Sequence, residues 1–286
     1  MSVYRDFDQE TLDAEYRIRA TISEAEFEAA VARYAADSAR ARGSLDCRQD
    51  VANGSRPDEV VDSFPAGPGA PIFVYIHGGY WRMLSQKESA FMAEAFVGLG
   101  AAVVTVNYSL APAASLDTIV GQCRAALAWT WRNAASFGAD PERIFVSGSS
   151  AGGHLTGAMI AGGWQDALGV PADIVKGACA LSGLFDLEPV MLAEPNQWIR
   201  LDPDSVRRNS PIHNLPEAGC PLIVAYGGNE TGEFKRQTDI FAQAWRKAGF
   251  SCTAVAMDES NHFNLVFDFQ NPEGRLMRAV RGMMGI

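Results

Sequence analysis

Arg143-Ile144-Phe145-Val146-Ser147-Gly148-Ser149-Ser150-Ala151-Gly152-Gly153-His154 joins a short apolar run to a glycine-bracketed serine and then to a run of small residues. Residues 143–147 predict a buried strand, and the residues from Ala151 onward predict a helix. Between them Gly148 to Gly152 fits G-x-S-x-G, in which the serine sits on a sharp strand-to-helix turn with its hydroxyl clear of the sheet. A turn that tight needs its helix close to the sheet, which small residues permit. Ser150 is therefore the candidate nucleophile.

Upstream, residues 72–76 form a second apolar run that enters His77-Gly78-Gly79-Tyr80-Trp81. A glycine-rich loop after a strand can present backbone N–H groups to a developing oxyanion. Either motif alone is a modest signal in a chain with 27 glycines; in this order, each behind an apolar run, they reinforce one another as acyl-transfer chemistry. Further strands are predicted at 101–106, 174–181, 221–226 and 251–257. A helix starting near Ser115 carries Leu116, Ile119, Val120, Cys123, Leu127 and Trp131 on one stripe and ends near Gly138. Another places Phe234, Phe241 and Trp245 inward and stops at Gly249.

Apolar strands alternating with helices imply the α/β class, a mostly parallel central sheet with helices on both faces. Residues 1–45 read as an N-terminal helical segment, with Ser23 and Glu26 as a capping box and Phe27, Ala30, Val31 and Tyr34 at helical spacing. Residues 64–71, FPAGPGAP, read as a surface turn. Residues 187–215 carry Pro189, Pro195, Pro203 and Pro211 with little periodicity. They read as a lid-like insertion over the edge of the site or as an irregular connection. One domain over 1–286 accommodates all of this.

Composition narrows the function classes. With 48% hydrophobic and 20% charged residues the chain is that of an ordinary globular protein with a sizeable core. A net charge of −10 without a Lys/Arg cluster argues against a nucleic-acid partner. The opening residues are charged from the fifth onward and contain no apolar h-region, so no signal peptide is expected. Nor is there an apolar run long enough for a membrane span. Five scattered cysteines without C-x-x-C spacing suit a reduced, cytoplasmic setting and buried thiols. No metal or cofactor motif is seen, so the expected partner is a small-molecule substrate. The N-terminal helices and residues 187–215 are expected either to close over the pocket or to build a homodimer.

A serine hydroxyl becomes an effective nucleophile when an imidazole takes its proton, and a carboxylate holds that imidazole in one tautomer. His154, His213 and His262 follow the serine. His154 lies four residues on along the same helix and reads as structural, while His213 falls in the proline-rich stretch and reads as lid or surface. His262 stands in Asp258-Glu259-Ser260-Asn261-His262-Phe263, after the last predicted strand, where the order serine, acid, histidine delivers a base. The acid is Glu230, in the loop from Gly227 to Phe234 that leaves the strand at 221–226. Asp186 competes from the neighbouring strand end. Asp258 and Glu259 lie too near His262 in sequence, and Glu233 reads as the first-turn acid of the next helix.

The amides of Gly78, Gly79 and Ala151 are the oxyanion donors, with glycine expected so that a substrate carbonyl can approach the backbone. His77 anchors its loop through a hydrogen bond. Ser149 stands beside the nucleophile, near the pocket. Tyr80, Trp81, Phe185, Trp198 and Phe263 flank the site and suit an aryl substrate, with ordinary core packing as the alternative for each. Arg82 and Arg200 are the candidates to meet a substrate carboxylate.

Taken together, His77 to Trp81, Asn107 to Pro112, GSSAGG at 148–153, SGLFDLEP from Ser182 and GGNETGEFKRQ from Gly227 resemble the kynurenine formamidase (arylformamidase) branch of the α/β-hydrolase superfamily. The resemblance covers most of the chain. It implies the α/β-hydrolase fold, a serine triad working through an acyl-enzyme, an oxyanion hole in the H-G-G-x-W loop, and hydrolysis of an N-formyl or N-acyl aromatic amine. N-formylkynurenine and N-acylanthranilates are such substrates. Related enzymes cleave simple esters, so a carboxylesterase acting on short-chain or aryl esters is the alternative. Carried over, Ser150 is the nucleophile, His262 the base, and Glu230 falls on the acid. The chain departs from the pattern in two places: the acid is usually aspartate, and the residue before the nucleophile is commonly histidine where this chain has Ser149.

Overall fold

Ala70-Pro71-Ile72-Phe73-Val74-Tyr75-Ile76 and Ala102-Val103-Val104-Thr105-Val106 are buried at every position, as expected for strands covered on both faces. They lie at the middle of one eight-stranded sheet in the computed structural model, which describes residues 2–286. In chain order the strands are β1 (Arg48–Ala52), β2 (Val60–Phe64), β3 (Ala70–Ile76), β4 (Ala102–Val106), β5 (Ala139–Ser149), β6 (Val175–Leu181), β7 (Leu222–Ala225) and β8 (Cys252–Ala254). Their spatial order is β1-β2-β4-β3-β5-β6-β7-β8, parallel from β4 to β8, with β1–β2 and β2–β4 antiparallel.

Parallel neighbours require crossovers, and helices supply them. Helices α1 (Gln9–Tyr16) and α2 (Glu24–Ser44) precede the sheet, and α3 (Ala93–Gly98) lies between β3 and β4; then come α4 (Leu116–Asn133) and α5 (Ala151–Met159). The remainder are α6 (Glu188–Leu192), α7 (Asn196–Ile199), α8 (Pro203–Asn209), α9 (Gly232–Lys247) and α10 (Arg275–Met284). The two-residue alternation of β3 sends Ile72, Val74 and Ile76 to a core shared with α4, α5 and α9, through Leu127, Leu155 and Phe241. Phe73 and Tyr75 face the opposite core, with Phe96 of α3 and Met277 and Val280 of α10.

The predicted strands and main helices appear with boundary shifts of a few residues. The sequence reading missed β1 and β2. β1, Arg-Gln-Asp-Val-Ala, is exposed at four of its five positions, so it carries no apolar signal. β2 buries Asp62 within 3.7 Å of Arg42, and that charge interrupts an otherwise apolar run.

Residues 187–215 are not irregular. Pro189 and Pro203 sit in the first turns of α6 and α8, and Pro195 caps α7, positions where a missing N–H costs no helical hydrogen bond. The segment is tied down by Arg208 and Asn209, each bonded to the Asp117 carboxylate at 2.8 Å, and closed on itself by the Ser210 hydroxyl accepting from the Leu187 amide.

Candidate active site

β5 ends in a turn with no slack. Ser150 holds φ +60° and ψ −121°, a backbone state unfavourable for any side-chain-bearing residue. Its amide donates to the Leu181 carbonyl at 2.9 Å, so the end of β6 helps to hold the strain. A Cβ on Gly152 would stand 2.1 Å from the Ile76 carbonyl oxygen; α5 touches β3 there backbone to backbone. The amide of Ala151 opens α5, where no intrahelical acceptor exists. Gly78 and Gly79 likewise have no hydrogen-bond acceptor for their amides among the described residues.

The glycines of that loop are required for a reason other than substrate approach. A Cβ on Gly78 would lie 2.7 Å from the Ser149 carbonyl oxygen, and one on Gly79, at φ +95°, would lie 2.3 Å from that of Met83. The protein's own backbone demands them. His77 braces the loop by stacking on Tyr108 at 4.0 Å, while its Nδ1–H donates to the Gly78 carbonyl at 2.9 Å. The Tyr108 hydroxyl donates to the His77 carbonyl at 3.0 Å. Burial lowers the His77 pKa to about 4, so the ring is neutral.

Glu230 and His262 are both buried and meet across two loops, with Oε2 of Glu230 3.1 Å from Nδ1 of His262 but off the line of an ideal N–H···O bond. The other carboxylate oxygen accepts from the Ser182 hydroxyl at 2.6 Å and the Gly227 amide at 2.7 Å. Ser182 opens one of the stretches that carry the resemblance but was given no site role; it follows β6 at φ +47°, and nothing in its spacing announces a contact 48 residues away. Phe234 meets the imidazole edge-on at 4.9 Å. Asp186 makes no contact with His262: its carboxylate accepts from the Glu188 amide at 3.2 Å, a local turn contact. Glu233 does lie in the first turn of α9, and it is also buried in an ion pair with Arg236 at 2.7 Å. His213 lies in a short turn after α8 and does not border the cavity onto which Ser150 opens.

Ser149, Ser150 and His262 open onto one cavity of about 360 Å³ at the carboxyl ends of the strands, where ligands bind in sheets of this kind. Tyr80, Trp198 and Phe263 line it. Trp81 and Phe185, expected in the pocket, do not. Trp81 turns into the core, where its indole N–H donates to Nδ1 of His154 at 3.3 Å. The other nitrogen of His154 donates to the Asn209 carbonyl at 2.8 Å, and burial lowers its pKa to about 4, a neutral structural histidine. Phe185 stacks on Phe241 at 4.2 Å beneath the site. A large aromatic beside a motif is drawn inward because burial rewards its area.

Another wall comes from the N-terminal helical segment: Tyr16 of α1 and Phe27, Val31 and Tyr34 of α2, the last three at a helical spacing that marks a cavity face. Arg82 also borders the cavity, its guanidinium 3.7 Å over the Trp198 ring and without an ion-pair partner among the described residues; Arg200 does not border it.

Residues 73–214 match a family described by the alpha/beta hydrolase fold. Kynurenine formamidase of Danio rerio is 30% identical over 254 residues, 86% of this chain and 85% of that protein. The chain belongs to the kynurenine formamidase-like branch of the α/β hydrolases. This hydrolase is also 27% identical over 207 residues to Esterase LipQ of Mycobacterium tuberculosis, covering 66% of the chain and 49% of that protein. A solved structure from Silicibacter sp. TM1040, provisionally designated a thioesterase, superposes with a TM-score of 0.81 at 27% identity, over 93% of this chain and 97% of that one. The enzyme is thus a hydrolase of the amide and ester class. Among the described residues no helix is long and apolar enough to cross a membrane.

Proposed function

We propose that this hydrolase cleaves the amide of an N-formyl or N-acyl aromatic amine through a serine acyl-enzyme. The observation that carries the reading is the buried Glu230–His262 pair opening onto the same aromatic-walled cavity as the strained Ser150. Ser150 attacks the acyl carbon as the Nε2 of His262 takes its proton. Glu230 holds Nδ1–H and stabilises the imidazolium that forms. The amides of Gly78, Gly79 and Ala151 receive the oxyanion, and their lack of other acceptors supports that role. His262 then protonates the departing arylamine, and water, activated by the same imidazole, releases the acid. Tyr80, Trp198 and Phe263 contact the aryl group, and Arg82 meets a carboxylate on it, a role supported by its bordering the cavity.

A carboxylesterase reading uses the same steps with an easier leaving group, and the likeness to Esterase LipQ supports it. The two separate by kcat/KM on N-formylkynurenine, N-acylanthranilates and short p-nitrophenyl esters. Turnover confined to the activated esters would remove the amidase reading. A purified protein that is not inactivated by organophosphates, or an active Ser150→Ala variant, would remove the serine mechanism altogether.

A further inference from the structure

The N-terminal segment does more than wall the cavity. Helix α9, which follows the acid loop, has no cap of its own: the side chain of Thr231, its N-cap residue, makes no capping bond, because its hydroxyl donates instead to the Glu15 carbonyl at 2.7 Å. The cap comes from α1, where the Glu15 carboxylate accepts the Glu233 amide at 2.8 Å. The next residue, Tyr16, is buried and held on three sides. Its hydroxyl donates to the Glu233 carboxylate at 2.9 Å and accepts from the Gln237 amide at 3.0 Å. Its backbone carbonyl accepts the Tyr80 hydroxyl, from the oxyanion loop, at 2.5 Å. On α2 the Tyr34 hydroxyl donates to the Phe263 carbonyl, next to the base. One segment, outside residues 73–214, thereby touches the loop of the oxyanion glycines, the acid loop and the loop of the base.

We propose that Glu15 and Tyr16 are positioning residues: a clasp that fixes the oxyanion loop and the acid loop relative to each other. The proposal rests on the serine reading above. The two loops touch through the edge-on ring contact of Tyr80 with Phe234 at 6.4 Å, and each is also hydrogen-bonded to one of two adjacent residues of α1, so displacing one loosens the clasp for the other. Geometry at this level matters because small displacements of reacting groups carry large rate penalties.

The test uses the full-length protein, well below its melting temperature, and measures the second-order rate of Ser150 labelling by a fluorophosphonate together with kcat and KM on p-nitrophenyl acetate. Tyr80→Phe removes the oxyanion-loop tether and Thr231→Val the acid-loop tether. Each is expected to slow labelling and kcat by about three- to tenfold. The double variant is expected to stay within about twofold of the slower single, because both tethers serve one clasp. Glu15→Ala is expected to be slow and Glu15→Gln, which keeps an acceptor, to restore labelling to within about twofold of wild type. Wild-type labelling rates in the variants, whatever their melting temperatures, would overturn the clasp, as would effects in the double variant that multiply. A wild-type protein that does not label at all would instead strike the serine reading itself.

Discussion

A carboxylate that orients an imidazole must itself be oriented, and Glu230 is held by the Ser182 hydroxyl and the Gly227 amide on the oxygen that does not face His262. Glu230→Gln is expected to keep the fold and lower kcat by roughly three to four orders of magnitude, as when an orienting acid is neutralised. Asp186→Asn, whose side chain reaches only a local amide, is expected to leave kcat within about twofold; the opposite ranking in steady-state assays would reassign the acid. Ser182→Ala removes one hydrogen bond to a buried charge and is expected to lower kcat by roughly tenfold. Of these residues Glu230 was readable as the proposed partner of His262, because an acid at a strand end is a positional signal. Ser182 was not, since its role depends on where β6 and β7 place their ends in space.

At the level of elements, the oxyanion loop is joined to the layers behind it by a buried relay, Trp81 to His154 on α5 to Asn209 at the end of α8. Trp81→Phe leaves Nδ1 of His154 without a donor in the core and is expected to lower stability by about 1–3 kcal/mol. KM should change little, since Trp81 does not reach the cavity. Thermal unfolding alongside steady-state kinetics checks both halves, and a raised KM at unchanged stability would return Trp81 to the pocket. Gly152→Ala forces a methyl group against the Ile76 carbonyl and is expected to cost about 3 kcal/mol or more, read as loss of soluble yield or a lowered urea midpoint. The sequence showed that α5 must approach closely, because its residues are small. It did not show that 187–215 would be helical, because prolines read as breakers until their place in a first turn is known.

Across the whole molecule, His77 and His154 are buried neutral with pKa values of about 4, against 6.5 for an exposed histidine. Between these values the unfolded chain binds the two protons and the folded chain does not, so acid favours unfolding. Stability from these two groups is complete above about pH 6.5 and falls as pH drops toward about 4, together by several kcal/mol in order of magnitude. Urea midpoints should therefore decline from pH 7 to pH 5; a flat profile over that window would contradict it. The sequence by itself determined the hydrolase class and the parallel sheet, and it set out the proposed serine, acid and base in that order, because each of these is written in short contiguous patterns of glycine placement, apolar runs and strand ends. Tertiary structure alone decided which aromatics line the cavity and which fill the core. It alone made an N-terminal helix the cap of a helix more than 200 residues away, because such contacts depend on how distant elements pack, which local periodicity does not encode.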